Sequence, residues 1–198
     1  MQLTYLFHSG FVFETDRCIL VFDYWMDPAG AMSRYLESSK PLYVFSSHFH
    51  EDHFNREIFA WRTRKANVCY ILSKDILKHR RAGKEEADAW LGKGAVWENE
   101  HLRVTATGSN DSGVSWVVET GGMRLFHAGD LNNWHWEEES TPEKIREAAN
   151  FYHQELETLA RETDYVDLAL FPVDPRLGKD YTRGGREFVD RIRTLQFA

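Results

Sequence analysis

The chain has 198 residues, of which 42% are hydrophobic, and it carries 31 acidic against 24 basic residues for a net charge of −7. This length and apolar content exclude a disordered chain and are sufficient for one domain over residues 1–198. The acidic balance excludes a broad basic surface, so we expect no nucleic-acid partner.

Two features of the sequence bear on where the protein works. The only cysteines, Cys18 and Cys69, lie in apolar strand-like segments, which favours reduced, buried thiols over a disulfide framework. The N-terminus lacks a basic region followed by a long apolar stretch, and no segment approaches membrane-spanning length. The sequence therefore predicts a cytoplasmic protein without membrane contact.

The first quarter of the chain alternates short apolar runs with turn residues. Strands are predicted over residues 3–7, 11–14, 18–22 and 41–46, with a short helix over 32–36. His8 falls in the first turn. Two interpretations of it stand equal: a residue of a functional site, and a hydrogen-bonded histidine at the end of a strand.

Four potential metal ligands follow the fourth apolar run within six residues, in the order His48-Phe49-His50-Glu51-Asp52-His53. His48 and His50 alternate, so an extended backbone directs both rings to the same side. Asp52 and His53 are adjacent and are placed to face a second position nearby. Imidazole nitrogen with carboxylate oxygen suits Zn²⁺, and with more oxygen also Mn²⁺ or Fe. The alternative is a chance cluster of solvated histidines.

The middle of the chain continues the alternation of helices and strands. We expect helices over 55–60 and 74–81, a further helical segment over 84–90, and strands over 68–72, 102–105, 115–119 and 124–126. A loop of small residues over 108–113 contains Asp111, which is either a metal ligand or the cap of a turn.

The strand that ends near Phe126 leads into His127-Ala128-Gly129-Asp130 and then Trp134-His135-Trp136. Two tryptophans around a histidine predict a pocket wall in which Trp134 and His135 contact substrate. The alternative is an aromatic cluster that packs on the next helix.

That helix should begin at Pro142 and end near residue 162, because Thr141 can cap it and apolar residues recur at helical spacing. A buried strand over 166–171 precedes a loop with Asp174 and Arg176. Arg176 is placed either to clamp an anionic substrate or to pair with Asp174. A last helix is predicted over 186–195.

The H-x-H-x-D-H pattern after a buried strand resembles the metallo-β-lactamase superfamily. Residues 6–11 and 127–130 are similar to the branch that includes ascorbate-6-phosphate lactonase-like and N-acyl-phosphatidylethanolamine phospholipase D-like enzymes. The resemblance implies an αββα four-layer sandwich with metals at one edge. It also implies a strand after the last helix that brings a final histidine to the second metal. The sequence lacks that histidine, so we expect the second half to lack its last strand, with either a missing tail or a homo-oligomer contact at the open sheet edge.

The resemblance assigns roles to the candidate residues around two divalent metal ions, with Zn preferred over Mn or Fe. The implied metal ligands are His48 and His50 for one ion, Asp52 and His53 for the other, and Asp130 for both, with Asp111 in place of an absent histidine. His8 and His127 would support the ligands from behind, and Asp52 and Asp130 would act in catalysis.

The implied reaction is hydrolysis of a small anionic substrate by a metal-activated water. The substrate class is a phosphorylated lactone, a phosphodiester or a related ester. Two alternatives stand beside it: a di-iron redox protein, and a non-catalytic protein that binds a small anion through a degenerate metal site.

Overall fold

In the computed structural model, which describes residues 1–198, the chain forms two six-stranded sheets. The first sheet contains β1 (Gln2–Phe7), β2 (Gly10–Glu14), β3 (Ile19–Phe22), β4 (Leu42–Ser46), β5 (Val68–Ser73) and β6 (Ala89–Leu91) in sequential order. Its first three strands are antiparallel, and β3 to β6 are parallel.

The second sheet repeats this plan. It contains β7 (Val96–Glu98), β8 (Leu102–Gly108), β9 (Val114–Thr120), β10 (Met123–His127), β11 (Tyr165–Leu170) and β12 (Arg193–Phe197). Strands β7 to β10 pair antiparallel, and β10, β11 and β12 pair parallel.

Helices cover the outer face of each sheet. The first sheet is covered by α1 (Met32–Glu37), α2 (Lys74–Lys78) and a 3-10 helix over Arg56–Thr63, and the second by α3 (Pro142–Glu162) and α4 (Arg183–Arg191). As predicted, α3 begins at Pro142, with the Thr141 side chain accepting from the Lys144 N–H. No helix combines the length and the apolar character that crossing a bilayer requires.

Strand alternation explains how the layers are filled. On β4, Val44 points to the helices, whereas Tyr43 and Phe45 point to the second sheet. On β10, Leu125 packs between the sheets and Phe126 packs under α3 and α4. The three apolar layers define an αββα four-layer sandwich, so the predicted fold class is confirmed.

The prediction for the end of the chain was wrong. The last helix ends at Arg191, and β12 follows over Arg193–Phe197, so the second sheet does not stop at β11. Val189, Ile192 and Leu195 have helical spacing, which favoured a longer helix in the sequence. In the fold, Ile192 is extended and β12 gains parallel hydrogen bonds to β11, starting with Arg193 N–H to Asp164 O at 3.0 Å.

The packing of α4 on the second sheet provides a test of the outer layer. Phe188 is fully buried, and its ring lies 5.0 Å from Phe126 and 5.1 Å from Phe171. Phe188→Ala should lower the free energy of unfolding by about 3–5 kcal/mol, because it removes buried area and leaves a cavity. Phe151→Ala on α3 is the control, since that ring is 46% exposed and should cost less than about 0.5 kcal/mol. Equal losses of unfolding free energy in the two variants, measured by urea denaturation, would contradict this packing.

Candidate metal centre

The candidate site lies where strand ends from both sheets meet. His48 and His50 follow β4, Asp130 follows β10, and His8 occupies the turn between β1 and β2. The backbone joins the two sheets at this point, because Val114 N–H donates to Ser47 O at 3.0 Å. This edge is the usual place for function in layered α/β proteins.

Two glycines allow the loops of the second sheet to approach Ser47. Gly113 and Gly129 have left-handed φ values of 66° and 56°. A Cβ at Gly113 would lie 2.0 Å from Ser47 O, and one at Gly129 would lie 2.8 Å from Ser47 Cβ. Any side chain at either position would therefore push the two halves of the site apart.

The first group of potential ligands contains His48, His50, Asp111 and Asp130, with one ligand atom of each lying within 4.8 Å of the others. His48 Nε2 is 3.4 Å from Asp130 Oδ2. It is buried and has no hydrogen-bond partner. A buried nitrogen with no partner is costly, and a bound cation would satisfy it.

The second group contains His8, Asp52 and His53, again within 4.8 Å of one another. His8 Nε2 lies 3.3 Å from Asp52 Oδ2. His53 Nε2 lies 3.2 Å from Asp130 Oδ1. Because the two oxygens of Asp130 face His48 and His53 separately, this carboxylate stands between the two groups. His8 stands among the potential ligands, closer than the supporting position that the resemblance implied.

The donor set fits divalent metal ions. It combines imidazole nitrogens with carboxylate oxygens, the ligands that Zn²⁺, Mn²⁺ and Fe share. The unpartnered Nε2 of His48 is the structural observation that supports this fit. The two groups could hold one ion each, with Asp130 reaching both.

Behind the ligand atoms lies Asp23, which follows β3 and is fully buried. Its Oδ2 accepts from His53 Nδ1 at 2.7 Å and from Ser47 Oγ at 2.6 Å. His127 is also behind the ligands: its Nε2 lies 2.9 Å from Ser9 O, and its ring stacks 5.0 Å from Phe22. These contacts hold the ligand side chains in their orientation from behind.

The ionisation of the site follows from its buried charges. Burial would raise the pKa of Asp23, but the charge of His127 and the hydrogen bond from His53 lower it to about 2. Burial opposes protonation of His53, yet hydrogen bonds to Asp130 and Asp23 raise its pKa to about 10. Burial and the charge of His53 lower the pKa of His48 to about 4. In the protein without metal, His53 therefore carries the positive charge and His48 is neutral.

Backbone strain is concentrated at this edge. His8, Asp23 and Trp136 have left-handed φ values of 54°, 43° and 44°, which non-glycine residues rarely adopt. Each such residue costs about 1–3 kcal/mol, a cost that tertiary contacts must offset. Two of the three side chains, His8 and Asp23, bond directly to the ligand groups.

The three residues predicted to bind substrate have different environments. His135 is 1% exposed, with one ring nitrogen near Asp180 O and the other accepting from Glu137 N–H, so a contact with substrate stays a prediction that this burial does not favour. Trp134 is half-buried and its Nε1 donates to Asp130 O at 2.8 Å, so it holds the loop that carries Asp130. Its ring stacks 6.1 Å from Trp136.

Arg176 lies on the surface close to the second group. It is held by Asp174, whose carboxylate accepts from its Nε at 2.8 Å, and it lies 5.9 Å from the Trp136 ring. The hydrogen bond and charge of Asp174, and beyond them the charges of Asp52 and Asp130, raise its pKa. Both sequence interpretations of this residue, the pair with Asp174 and an exposed anion contact, are therefore compatible with its position.

Sequence reasoning missed Asp23 and Ser47 as functional residues. Asp23 was visible only as an acidic residue at the end of an apolar strand, and Ser47 as a polar residue before the histidine motif. A carboxylate next to the C-terminal end of a buried strand, parallel to the strand before the motif, is the signal that could have indicated the contact.

Fold and site together define an αββα sandwich with a histidine- and aspartate-rich metal centre at its edge. The model of the family described as "Beta-lactamase superfamily domain" matches residues 2–145. A UPF0173 metal-dependent hydrolase of Opitutus terrae is 30% identical over 213 residues, covering 99% of this chain and 81% of the relative. Another from Symbiobacterium thermophilum is 27% identical, with 99% and 80% covered.

Solved structures share the fold at low identity. A protein of Parabacteroides distasonis assigned as a metal-dependent hydrolase superposes with a TM-score of 0.63 at 14% identity, covering 98% of this chain and 79% of its own. CmlA, a diiron β-hydroxylase from Streptomyces venezuelae, gives 0.59 at 15% identity, with 98% and 43% covered. The chain belongs to the metallo-β-lactamase superfamily, and its curated relatives are metal-dependent hydrolases of the UPF0173 group.

The two ligand groups predict how metal content responds to single substitutions. The parent, purified without chelator, should contain about two metal equivalents by plasma mass spectrometry, because each group offers at least three ligand atoms. His48→Ala should lose the metal equivalent that the first group binds. His8→Ala should lower the affinity of the second group for its metal. His153→Ala, an exposed histidine far along α3, is the control and should change nothing. Full retention of both equivalents in His48→Ala would contradict the assignment.

Proposed function

We propose that the protein is a hydrolase that uses two divalent metal ions, with zinc preferred, on a small anionic ester. The candidate substrates are a phosphorylated lactone, a phosphodiester and a related ester. The observation that carries the proposal is the position of Asp130, whose two oxygens lie 3.4 Å from His48 and 3.2 Å from His53. The UPF0173 relatives, named as metal-dependent hydrolases, support the same class.

The ligand residues would form two metal-binding positions that share Asp130. His48, His50, Asp111 and Asp130 would hold one ion, and His8, Asp52, His53 and Asp130 the other. The chemistry that bound divalent ions supply is activation of water at neutral pH and polarisation of the substrate. The protein itself would orient the water, accept its proton and anchor the substrate.

Asp52 is the group best placed to accept that proton. A hydrogen bond from His8 is the main influence that holds the pKa of Asp52 well below its usual range, and the charge of His53 adds to it. The carboxylate is therefore ionised at neutral pH, and it is 41% exposed, so substrate can reach it. A carboxylate with so low a pKa is a weak base, so its main part would be to orient the water by accepting its hydrogen bond, with the proton transferred only as the attack proceeds.

Substitution of Asp52 tests the catalytic role. Asp52→Ala should lower kcat/KM about 10²- to 10⁴-fold on whichever of the three substrate classes the parent hydrolyses, because it removes the group that faces the water and also a ligand of the second ion. Glu51→Ala is a matched control from the same motif. Its side chain is 79% exposed and meets only Arg81, at 3.5 Å, so its activity should equal that of the parent.

The same assay separates the alternatives. Absence of hydrolysis by the parent, together with unchanged affinity of Asp52→Ala for phosphate or a carboxylate, would favour a non-catalytic anion-binding protein. Two iron equivalents with an iron-dependent absorbance band would favour redox chemistry, as the name of the CmlA neighbour suggests for that protein.

Arg176 is the proposed anchor for the anionic part of the substrate. Asp174 orients its guanidinium through Nε and Nη2, and the side chain is 73% exposed. Arg176→Ala should raise KM for an anionic ester about 10- to 100-fold, the loss expected for a charge-assisted hydrogen bond. KM for a neutral ester with the same leaving group should not change. Arg191→Ala, paired with Glu157 on the helical surface, serves as the control. Equal effects of Arg176→Ala on both esters would count against the anchor.

A further inference from the structure

One buried carboxylate contacts both ligand groups from behind. Asp23 Oδ1 accepts from Ser47 N–H at 2.7 Å, and Oδ2 accepts from Ser47 Oγ at 2.6 Å and from His53 Nδ1 at 2.7 Å. The carboxylate is fully buried, and its backbone φ is 43°. A strained residue that makes three short bonds to the segment carrying the ligands suggests a functional requirement for this geometry.

The contact with the first group passes through Ser47. A hydroxyl has only one proton, and Ser47 Oγ uses it to reach Asp23, so the oxygen must accept from its other neighbour. That neighbour is His48 Nδ1, at 2.9 Å. The proton of His48 is thereby placed on Nδ1, and its Nε2 presents a lone pair toward Asp130 Oδ2, 3.4 Å away.

The contact with the second group is direct. Asp23 is acceptor-only, so the proton between it and His53 also lies on Nδ1. The other nitrogen, Nε2, points to Asp130 Oδ1. His48 and His53 therefore both carry a proton on Nδ1. The Nε2 atom of each faces a different oxygen of the Asp130 carboxylate.

We propose that Asp23 is a positioning residue that sets the Nε2-ligating tautomer of one histidine in each group, and so links the two metal positions. The inference rests on the proposed metal centre. It makes an asymmetric prediction, because Asp23 supports His53 directly and His48 only through Ser47. Loss of Asp23 should weaken both positions, whereas loss of the Ser47 hydroxyl should weaken the His48 position alone.

Zinc titration against a chromophoric chelator tests this asymmetry without an activity assay. Loss of a hydrogen-bonding partner behind a metal ligand lowers metal affinity about 10- to 100-fold. Asp23→Asn should lower both zinc affinities to this extent, and Ser47→Ala only one. Asp167→Asn is the matched control. That carboxylate accepts from Arg124 N–H at 2.7 Å and from the Tyr165 hydroxyl, with no ligand nearby, so both affinities should equal those of the parent.

A second measurement keeps the inference independent of metal binding. In the metal-free protein, two-bond ¹H–¹⁵N correlation spectra report which ring nitrogen of His48 carries the proton. The parent should show the proton on Nδ1, and Ser47→Ala should shift it toward Nε2. This variant also provides the test if Asp23→Asn does not fold, which thermal unfolding would reveal.

The possible results separate a failure of the proposed metal centre from a failure of the positioning role of Asp23. A parent that binds no zinc but shows the Nδ1 tautomer, lost in Ser47→Ala, would overturn the metal centre and retain the positioning role of Asp23. Two zinc affinities in Asp23→Asn equal to those of Asp167→Asn would overturn the positioning role. An Nε2 proton on His48 in the parent would overturn it as well.

Discussion

The balance of charge at one end of the sandwich is the constraint on which the rest of the site depends. Asp23 is fully buried and Asp130 is mostly buried, and an ionised carboxylate out of water costs several kcal/mol unless a positive group compensates it. His53 lies between them, at 2.7 Å and 3.2 Å. Without metal, its imidazolium supplies the compensation. A bound cation would replace the proton on Nε2, so the proton and the metal compete for one place.

The two sheets determine the distances between the ligands at this end of the sandwich. Asp23 and His48 follow strands of the first sheet, and Asp130 follows a strand of the second, so the spacing between the sheets sets the spacing between the ligands. That spacing depends on side chains of the middle layer such as Phe45 and Trp116, whose rings are 5.7 Å apart. Because interiors are close-packed, a substitution in this layer would be transmitted to the site.

The parts of the structure that depend on local pattern could be predicted from the sequence. The H-x-H-x-D-H segment carries its ligand spacing within six residues, and α3 carries its own cap and apolar stripe. The parts that depend on pairing across the chain could not. The helical spacing of Val189, Ile192 and Leu195 runs from α4 into β12, and Arg193–Phe197 becomes a strand because β11 offers it hydrogen bonds.

The same reason applies to the site. His135 looked like a pocket residue because tryptophans flank it, but burial and two backbone partners, Asp180 O and Glu137 N–H, occupy its ring. Asp23 was overlooked because its role depends on Ser47 and His53, which follow it by 24 and 30 positions. A residue whose partners are distant in sequence gives only a weak local signal, here an acidic residue after an apolar strand.

The exposure of the ligands indicates the side from which a substrate would arrive. His48 and His53 are almost completely buried, whereas the side chains of His8 and Asp52 are 37% and 41% exposed. Each group therefore has one buried histidine and at least one exposed member. Arg176 is 73% exposed and lies within reach of the charge of Asp52. Under the proposed function, the reacting bond would lie over the exposed side, where His8 and Asp52 face solvent. The proton acceptor and the anchor for the anion then stand on the same open side, which places binding and chemistry within one approach path.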